Sequence, residues 1–187
     1  EEEGSEEIKQ FRSLWLKMRL DRAISNKKHL RANYLEIFRG AAKRVVNKET
    51  LAIKNAAKRT IGKRDIDDFK KWLKEFYGGK LPGYIEQEIM PVLLSYGGAI
   101  QEATANEIGA KIGMTDELER YLREYLENLQ KRHVWSSTGQ IQEIMDETKA
   151  EELIDTISKR IDEWADKRPE KIARREVVEA GGAVAKF

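Results

Sequence analysis

Two histidines, His29 and His133, are the chain's readiest acid–base groups. Neither belongs to a spacing such as His-x-x-x-His that would put two imidazoles on one helix face around a metal. His29 lies in a basic polar stretch, and His133 lies at the expected end of a helix. There is no cysteine, so no disulfide framework and no thiolate metal site can form, which suits a reducing compartment. The carboxylates are mostly spaced four residues from a lysine or arginine, the arrangement of a solvated helix face. Glu143, Asp146 and Glu147 make an acidic edge that reads as an exposed helix end. The pairs Gly78-Gly79, Gly97-Gly98 and Gly181-Gly182 are not followed by Gly-Lys-Ser/Thr and are not preceded by a strand, so they do not make a phosphate loop. Ser136, Ser137 and Thr138 read as capping residues before a helix, with no base partner in view. These residues point to no catalytic group, no metal ligand and no cofactor, and the expectation is a non-enzymatic protein.

The charged residues carry more information. The 187 residues hold 35 Lys and Arg against 33 Asp and Glu, a net charge of only +2. The stretch from Ile8 to Lys80 alone contains 21 basic and 7 acidic residues, a local net of +14, which leaves −12 for the rest. Such asymmetry fits either a polyanionic partner or two halves that face each other in one fold. Lys27, Lys28, Arg31, Arg39, Lys43 and Arg44 are the candidate polyanion-binding residues, able to contact phosphates without reading bases. Trp15, Tyr34, Phe38, Trp72 and Phe76 lie among these cations, a mixture that could stack on single-stranded nucleic acid. Their helical spacing favours core packing instead.

The elements that must position these groups are helices. Charged residues make up 36% of the chain and proline occurs three times, which favours long helices with wide solvated faces. Ile8, Phe11, Trp15 and Met18 share one helix face, and the pattern resumes from Leu30 to Val45 with Asn47 as the expected stop. A shorter helix follows from Leu51 to Ile61. Asp65 is the expected N-cap of the next, which should end at Gly78-Gly79. Pro91 should kink or split a helix running from Tyr84 to Ile112. Thr115 is an expected N-cap for a helix carrying Leu118, Leu122, Leu126 and Leu129. An extended link at His133–Thr138 and further helices from Thr138, from Lys149 and from Pro169 complete the pattern. No alternation of period two and no hairpin signal is present. The predicted fold is all-α, an elongated bundle of about seven helices, with a basic region over 1–80 and a second helical region over 81–187. No apolar run reaches the ~18–20 residues of a membrane span. The opening Glu-Glu-Glu-Gly, without Met, suggests a fragment or a processed product.

One segment carries a motif. Ser136-Ser-Thr-Gly-Gln140-Ile opens a helix, Glu152-Leu-Ile-Asp-Thr-Ile-Ser-Lys-Arg-Ile161 forms a second, and Arg168-Pro-Glu-Lys-Ile172-Ala173-Arg174-Arg175-Glu176 opens a third that runs to Ala180. Residues 133–187 thereby resemble the head-morphogenesis, or minor head, proteins of bacteriophages similar to the F protein of phage Mu. That family has a Ser/Thr-rich link, a Leu/Ile-faced helix, and then Arg-x-x-x-Ile-Ala-Arg-Thr-Glu followed by Ala-x-Asn. Arg175 replaces the usual Thr, and Gly182 stands where Asn is expected. The motif residues carried over are Arg168, Ile172, Ala173, Arg174, Glu176 and Ala180. Arg174 and Glu176 do not share a helix face. One of them is expected to be buried and paired across to another helix, fixing register.

The resemblance implies a structural protein of the phage head, located in the virion and assembled in the host cytoplasm. It would bind the portal or the capsid interior, with its basic helices on the portal's acidic surface or on packaged DNA. Two alternatives are a basic nucleic-acid-binding helical module and the helical arm of a larger phage or prophage enzyme or toxin.

Overall fold

A computed structural model describes residues 2–63, 65–109 and 113–184. The described residues are almost wholly helical and contain no strand. The described residues form five α-helices: α1 Glu2–Thr60, α2 Ile66–Glu75, α3 Leu81–Ile108, α4 Asp116–Glu147 and α5 Leu153–Val184. The all-α class agrees with the periodicity. The count of about seven does not, because three expected breaks are bridged by packing.

The first is Asn47. It faces solvent while Val45, Val46, Glu49, Thr50 and Ile53 around it are buried, so tertiary contacts carry α1 through a residue of poor helix propensity. The second is Ser136–Thr138, expected to be extended. These residues lie inside α4, where Thr138 Oγ1 donates back to the Val134 carbonyl at 2.8 Å and Ser137 is fully buried. The third is Pro169, which lies in the interior of α5 rather than at the start of a new helix. It is buried between the turns of Trp164 and Ala173, both of which are buried too.

Pro91 likewise leaves α3 unbroken. It is exposed, as is Gln87 one turn back, so the carbonyl deprived of its donor is open to water. Gly78 and Gly79 do not end a helix. They widen it into a π turn, Phe76–Lys80, closed by the Leu81 N–H donating to the Phe76 carbonyl, and the chain runs directly into α3. The two expected caps are present. Asp65 accepts from the Asp68 N–H at 2.9 Å, and Thr115 Oγ1 accepts from the Leu118 N–H at 3.2 Å. Gly109, at φ 74°, ends α3 in the left-handed conformation.

One apolar cluster runs through α1, α3, α4 and α5 and crosses position 80 without interruption. Phe38, Ile53, Leu81, Leu93, Leu118 and Ile141 are among its fully buried members. Each such side chain contributes about 1.5–3 kcal/mol by leaving water. Tyr96 stands at the junction of three helices. Its ring lies 4.7 Å from Tyr34 and edge-on to Phe38 at 5.7 Å, and its hydroxyl donates to the Val177 carbonyl at 2.9 Å. Gly181 lies beneath that hydroxyl: a Cβ there would come within 2.5 Å of the Tyr96 oxygen. Gly97 and Gly181 thus serve close helix approaches, not helix ends.

Helix α1 outruns its partners. Its 59 residues span about 90 Å at 1.5 Å per residue, against 28 residues for α3. Arg19 donates to the Glu107 carbonyl near the end of α3. The part of α1 on the amino side of Arg19 extends past the α3 terminus. Phe11 is 69% exposed there, Trp15 48% and Met18 63%, which corrects the expectation that this face is core.

Candidate functional site

A buried polar cluster is built where α1, the π turn, α4 and α5 meet. Glu49 supplies its centre. It falls on the same face of α1 as Val45, Ile53 and Ala56, and it is 0% exposed. A carboxylate in that position needs partners, because an unpaired buried charge costs several kcal/mol. Tyr77, at the π turn, donates its hydroxyl to Glu49 Oε1 at 2.8 Å. His133 of α4 donates from Nε2 to Glu49 Oε2 at 2.8 Å. Arg168 of α5 lies 3.8 Å from the same oxygen and donates to Ser137 Oγ at 2.6 Å. Its guanidinium covers the Trp164 ring at 3.4 Å, and Trp164 Nε1 donates to Gln140 at 3.1 Å.

The electrostatics follow from this geometry. Burial pushes the Glu49 carboxyl up, but His133, Ser137 and Arg168 outweigh it, and the net displacement is below the ordinary 4.5. Burial and the neighbouring Glu49 push the Tyr77 phenol well up, so it stays a donor. Burial pulls the Arg168 guanidinium down while Glu49 and Tyr77 oppose the loss. The cluster is not arranged as a nucleophile and its base. Ser137 is fully buried and accepts from Arg168, while the imidazole is spent on Glu49 rather than on the hydroxyl. What the arrangement does is lock four chain segments in register.

The motif residues divide between two roles. Arg168 enters the Glu49 cluster. Ala173 and Ala180 are fully buried small residues on the inner face of α5, and Ile172 is half-buried. Glu176 is the buried member of the Arg174–Glu176 couple, 3% exposed. It accepts from the Tyr125 hydroxyl and lies 3.5 Å from Arg132, both on α4. Burial pushes its carboxyl up, and Tyr125 and Arg132 offset part of that. Arg174 faces solvent and pairs with Glu170.

The six basic residues of α1 are not one surface. Arg39 is tied to Glu36 and to Glu170 of α5, and the side-chain hydrogen bonds of Arg39 and Arg174 lower the Glu170 carboxyl to about 2. Arg44 pairs with Glu88 of α3 at 2.5 Å. Lys54 pairs with Asp162 at 2.6 Å. Part of the +14 region therefore faces the acidic half inside the fold. Arg31 is exposed, and its charge opposes the upward push of burial on the Tyr96 phenol. Lys27, Lys28 and Lys43 remain exposed.

Sequence reasoning passed over Glu49 and Tyr77. The available signal was a carboxylate at the i+4 position of an otherwise apolar face, between Val45 and Ile53. Among the described residues no three His, Asp or Glu side chains converge on a metal position, and no helix is long and apolar enough to cross a membrane. Compared with known proteins, the chain matches no family model, no curated protein and no solved structure.

Proposed function

We propose that this chain is a helical segment of a phage head-assembly protein. It acts by docking on the portal or the capsid interior within the virion, and it does so without catalysis. One observation carries the reading: the amino-terminal arm of α1 exposes Phe11, Leu14, Trp15, Leu16, Met18 and Leu20 on a helix that has outrun its own bundle. Phe11, Leu14, Trp15 and Met18 share one face, while Leu16, Leu20 and Ile24 share the opposite one. A helix apolar on two sides belongs inside a groove rather than on a flat surface. Between Lys9 and Arg31 the arm carries eight Lys and Arg against one Asp, so two copies of it repel and an acidic-rimmed groove suits it. The motif residues of α5 support the same reading, because they serve packing. The base they build holds the arm in a fixed direction.

The test is to sequence the native gene's flanks and co-express the tagged chain with the proteins encoded there. A neighbouring portal or capsid protein that retains the chain on sedimentation supports the proposal. Ordinary cellular neighbours, or head proteins that leave the chain behind, contradict it.

A second reading, a nucleic-acid-binding module, is favoured by the exposed Lys27, Lys28 and Lys43, which sit on the solvent side of α1. It requires duplex binding whose affinity falls steeply with salt.

A further inference from the structure

We infer that the groove between α4 and α5 is a binding site for an anion carrying two or more phosphate groups. The site is separate from the α1 arm and does not depend on the assembly reading.

The groove encloses about 400 Å³, within the range of pockets that hold small ligands. Six cationic side chains line it: Arg132 from α4, and Arg160, Lys167, Arg168, Lys171 and Arg175 from α5. Two carboxylates share the lining, Glu163 and Glu176. Glu163 is engaged by Arg160 at 3.3 Å and Glu176 by the Tyr125 hydroxyl and Arg132, while Arg175 pairs with Glu179 at 2.9 Å and Arg168 lies 3.8 Å from Glu49, which leaves Lys167 and Lys171 as the cations without an ion pair among the described residues. The lining carries a net charge of +4, inside the half of the sequence whose sum is negative. The concentration comes from helix geometry. Lys167, Lys171 and Arg175 recur every four residues, which sets them in a row along one edge of α5 at about 6 Å per step.

Two buried atoms ask for an acceptor. Arg168 Nη2 and Arg132 Nη2 are both buried and have no hydrogen-bond partner in the protein. Arg132 Nη2 has only the longer approaches to Glu176 at 3.5 Å and Glu179 at 3.7 Å. A buried N–H left without an acceptor costs about 1–3 kcal/mol, so native structures rarely keep one. Arg168 and Arg132 are both among the residues that line the groove. The guanidinium groups that line the groove match phosphate in fork geometry, and Lys167 and Lys171 add point charge at its exposed rim. The exposed lysines of α1 lie on a convex helix and offer no such enclosure.

Isothermal titration at constant ionic strength tests the site, using inorganic tripolyphosphate as one probe and a short oligothymidylate as the other. Lys167 and Lys171 are exposed, and no ion pair of either is seen among the described residues, so K167A/K171A should keep the fold; a circular dichroism melt checks this. The expected result is saturable binding of tripolyphosphate that K167A/K171A weakens by about tenfold, the effect of ~1.4 kcal/mol. K27A/K28A is expected to change it by less than about twofold. Saturable binding of the oligothymidylate alone, weakened by K167A/K171A, also supports the site and identifies a strand's phosphates as its occupant. The inference is overturned if neither probe binds saturably, if K167A/K171A binds like the parent chain, or if K27A/K28A removes the binding instead.

Discussion

Glu49 and His133 lie 84 residues apart in the chain and 2.8 Å apart in the core, joined from α1 to α4 by a single hydrogen bond between Oε2 and Nε2. The carboxylate is fully buried, and the remaining oxygen is taken by Tyr77. The pair fixes the axial register of two long helices whose apolar faces alone would tolerate sliding by a turn.

Removing the charge at Glu49 should therefore be costly. Glu49→Gln leaves Arg168 buried without its carboxylate, and the expected loss is about 3 kcal/mol, in line with breaking a buried pair from one side. Urea unfolding followed by circular dichroism reads it as a lower midpoint at unchanged slope. Combining E49Q with Arg168→Met should cost less than the sum of the two single changes by about 1 kcal/mol or more. Strict additivity would mean that the two groups do not act as a unit.

The two buried carboxylates have opposite pH signatures. Glu49 is held below its ordinary 4.5, so its contribution is complete above that value and is lost as pH falls through the lower folded value. Glu176 is raised by burial, so its ionisation costs stability as pH rises through the raised value. Melting temperature measured against pH should fall on the acid side of 4.5, and E49Q should flatten that limb. Glu176→Gln keeps an acceptor for Tyr125 and leaves Arg132 with Glu179, so its cost at neutral pH should stay below about 1 kcal/mol. A loss from E176Q equal to that from E49Q would contradict this division.

Gly181 has a steric duty. Gly181→Ala puts a methyl group 2.5 Å from the Tyr96 oxygen, which also holds the Val177 carbonyl, and overpacking of that kind costs about 1–3 kcal/mol. In a Tyr96→Phe background the cost should shrink, since the nearest atom is gone. Gly97→Ala is crowded at 2.9 Å by the Cδ1 tip of Leu122, a rotatable end, with Leu118 and Met114 in ordinary contact at 3.7 Å, and should be the milder change. Thermal denaturation of these variants beside the parent chain and Tyr96→Phe alone orders these effects.

Much of the fold was legible because it is written in apolar periodicity and caps. Asp65 and Thr115 both act as N-caps, and Leu118, Leu122, Leu126 and Leu129 are buried together. The misplaced boundaries share one cause. Asn47, Ser137 and Pro169 are poor helix residues locally, and their helices continue because flanking residues are buried against other helices, which propensity does not register. The polar cluster was half legible: Arg168 and Glu176 stood out through the motif, whereas Glu49 and Tyr77 come together only in three dimensions. Net charge by segment concealed the α4–α5 groove, since its cations are spread through an acidic stretch and converge by helical phase. The same sum overstated α1, where Arg39, Arg44 and Lys54 are spent on Glu170, Glu88 and Asp162.

The exposed face of the α1 arm should be separable from folding. Replacing Phe11, Trp15 and Met18 together by Ser removes no core contact, so stability should stay within about 0.5 kcal/mol of the parent chain. A larger loss would place these side chains in the fold itself rather than on a docking surface.

The proposed assembly role stands or falls on that same arm. The most direct measurement is co-sedimentation of the tagged chain with the assemblies formed by the proteins encoded beside its gene, run in parallel with F11S/W15S/M18S. The account predicts that the parent chain travels with the large assembly and that the triple variant, still folded, remains at the top of the gradient. A parent chain that never enters the assembly, or a triple variant that enters it equally well, would contradict the docking role of α1.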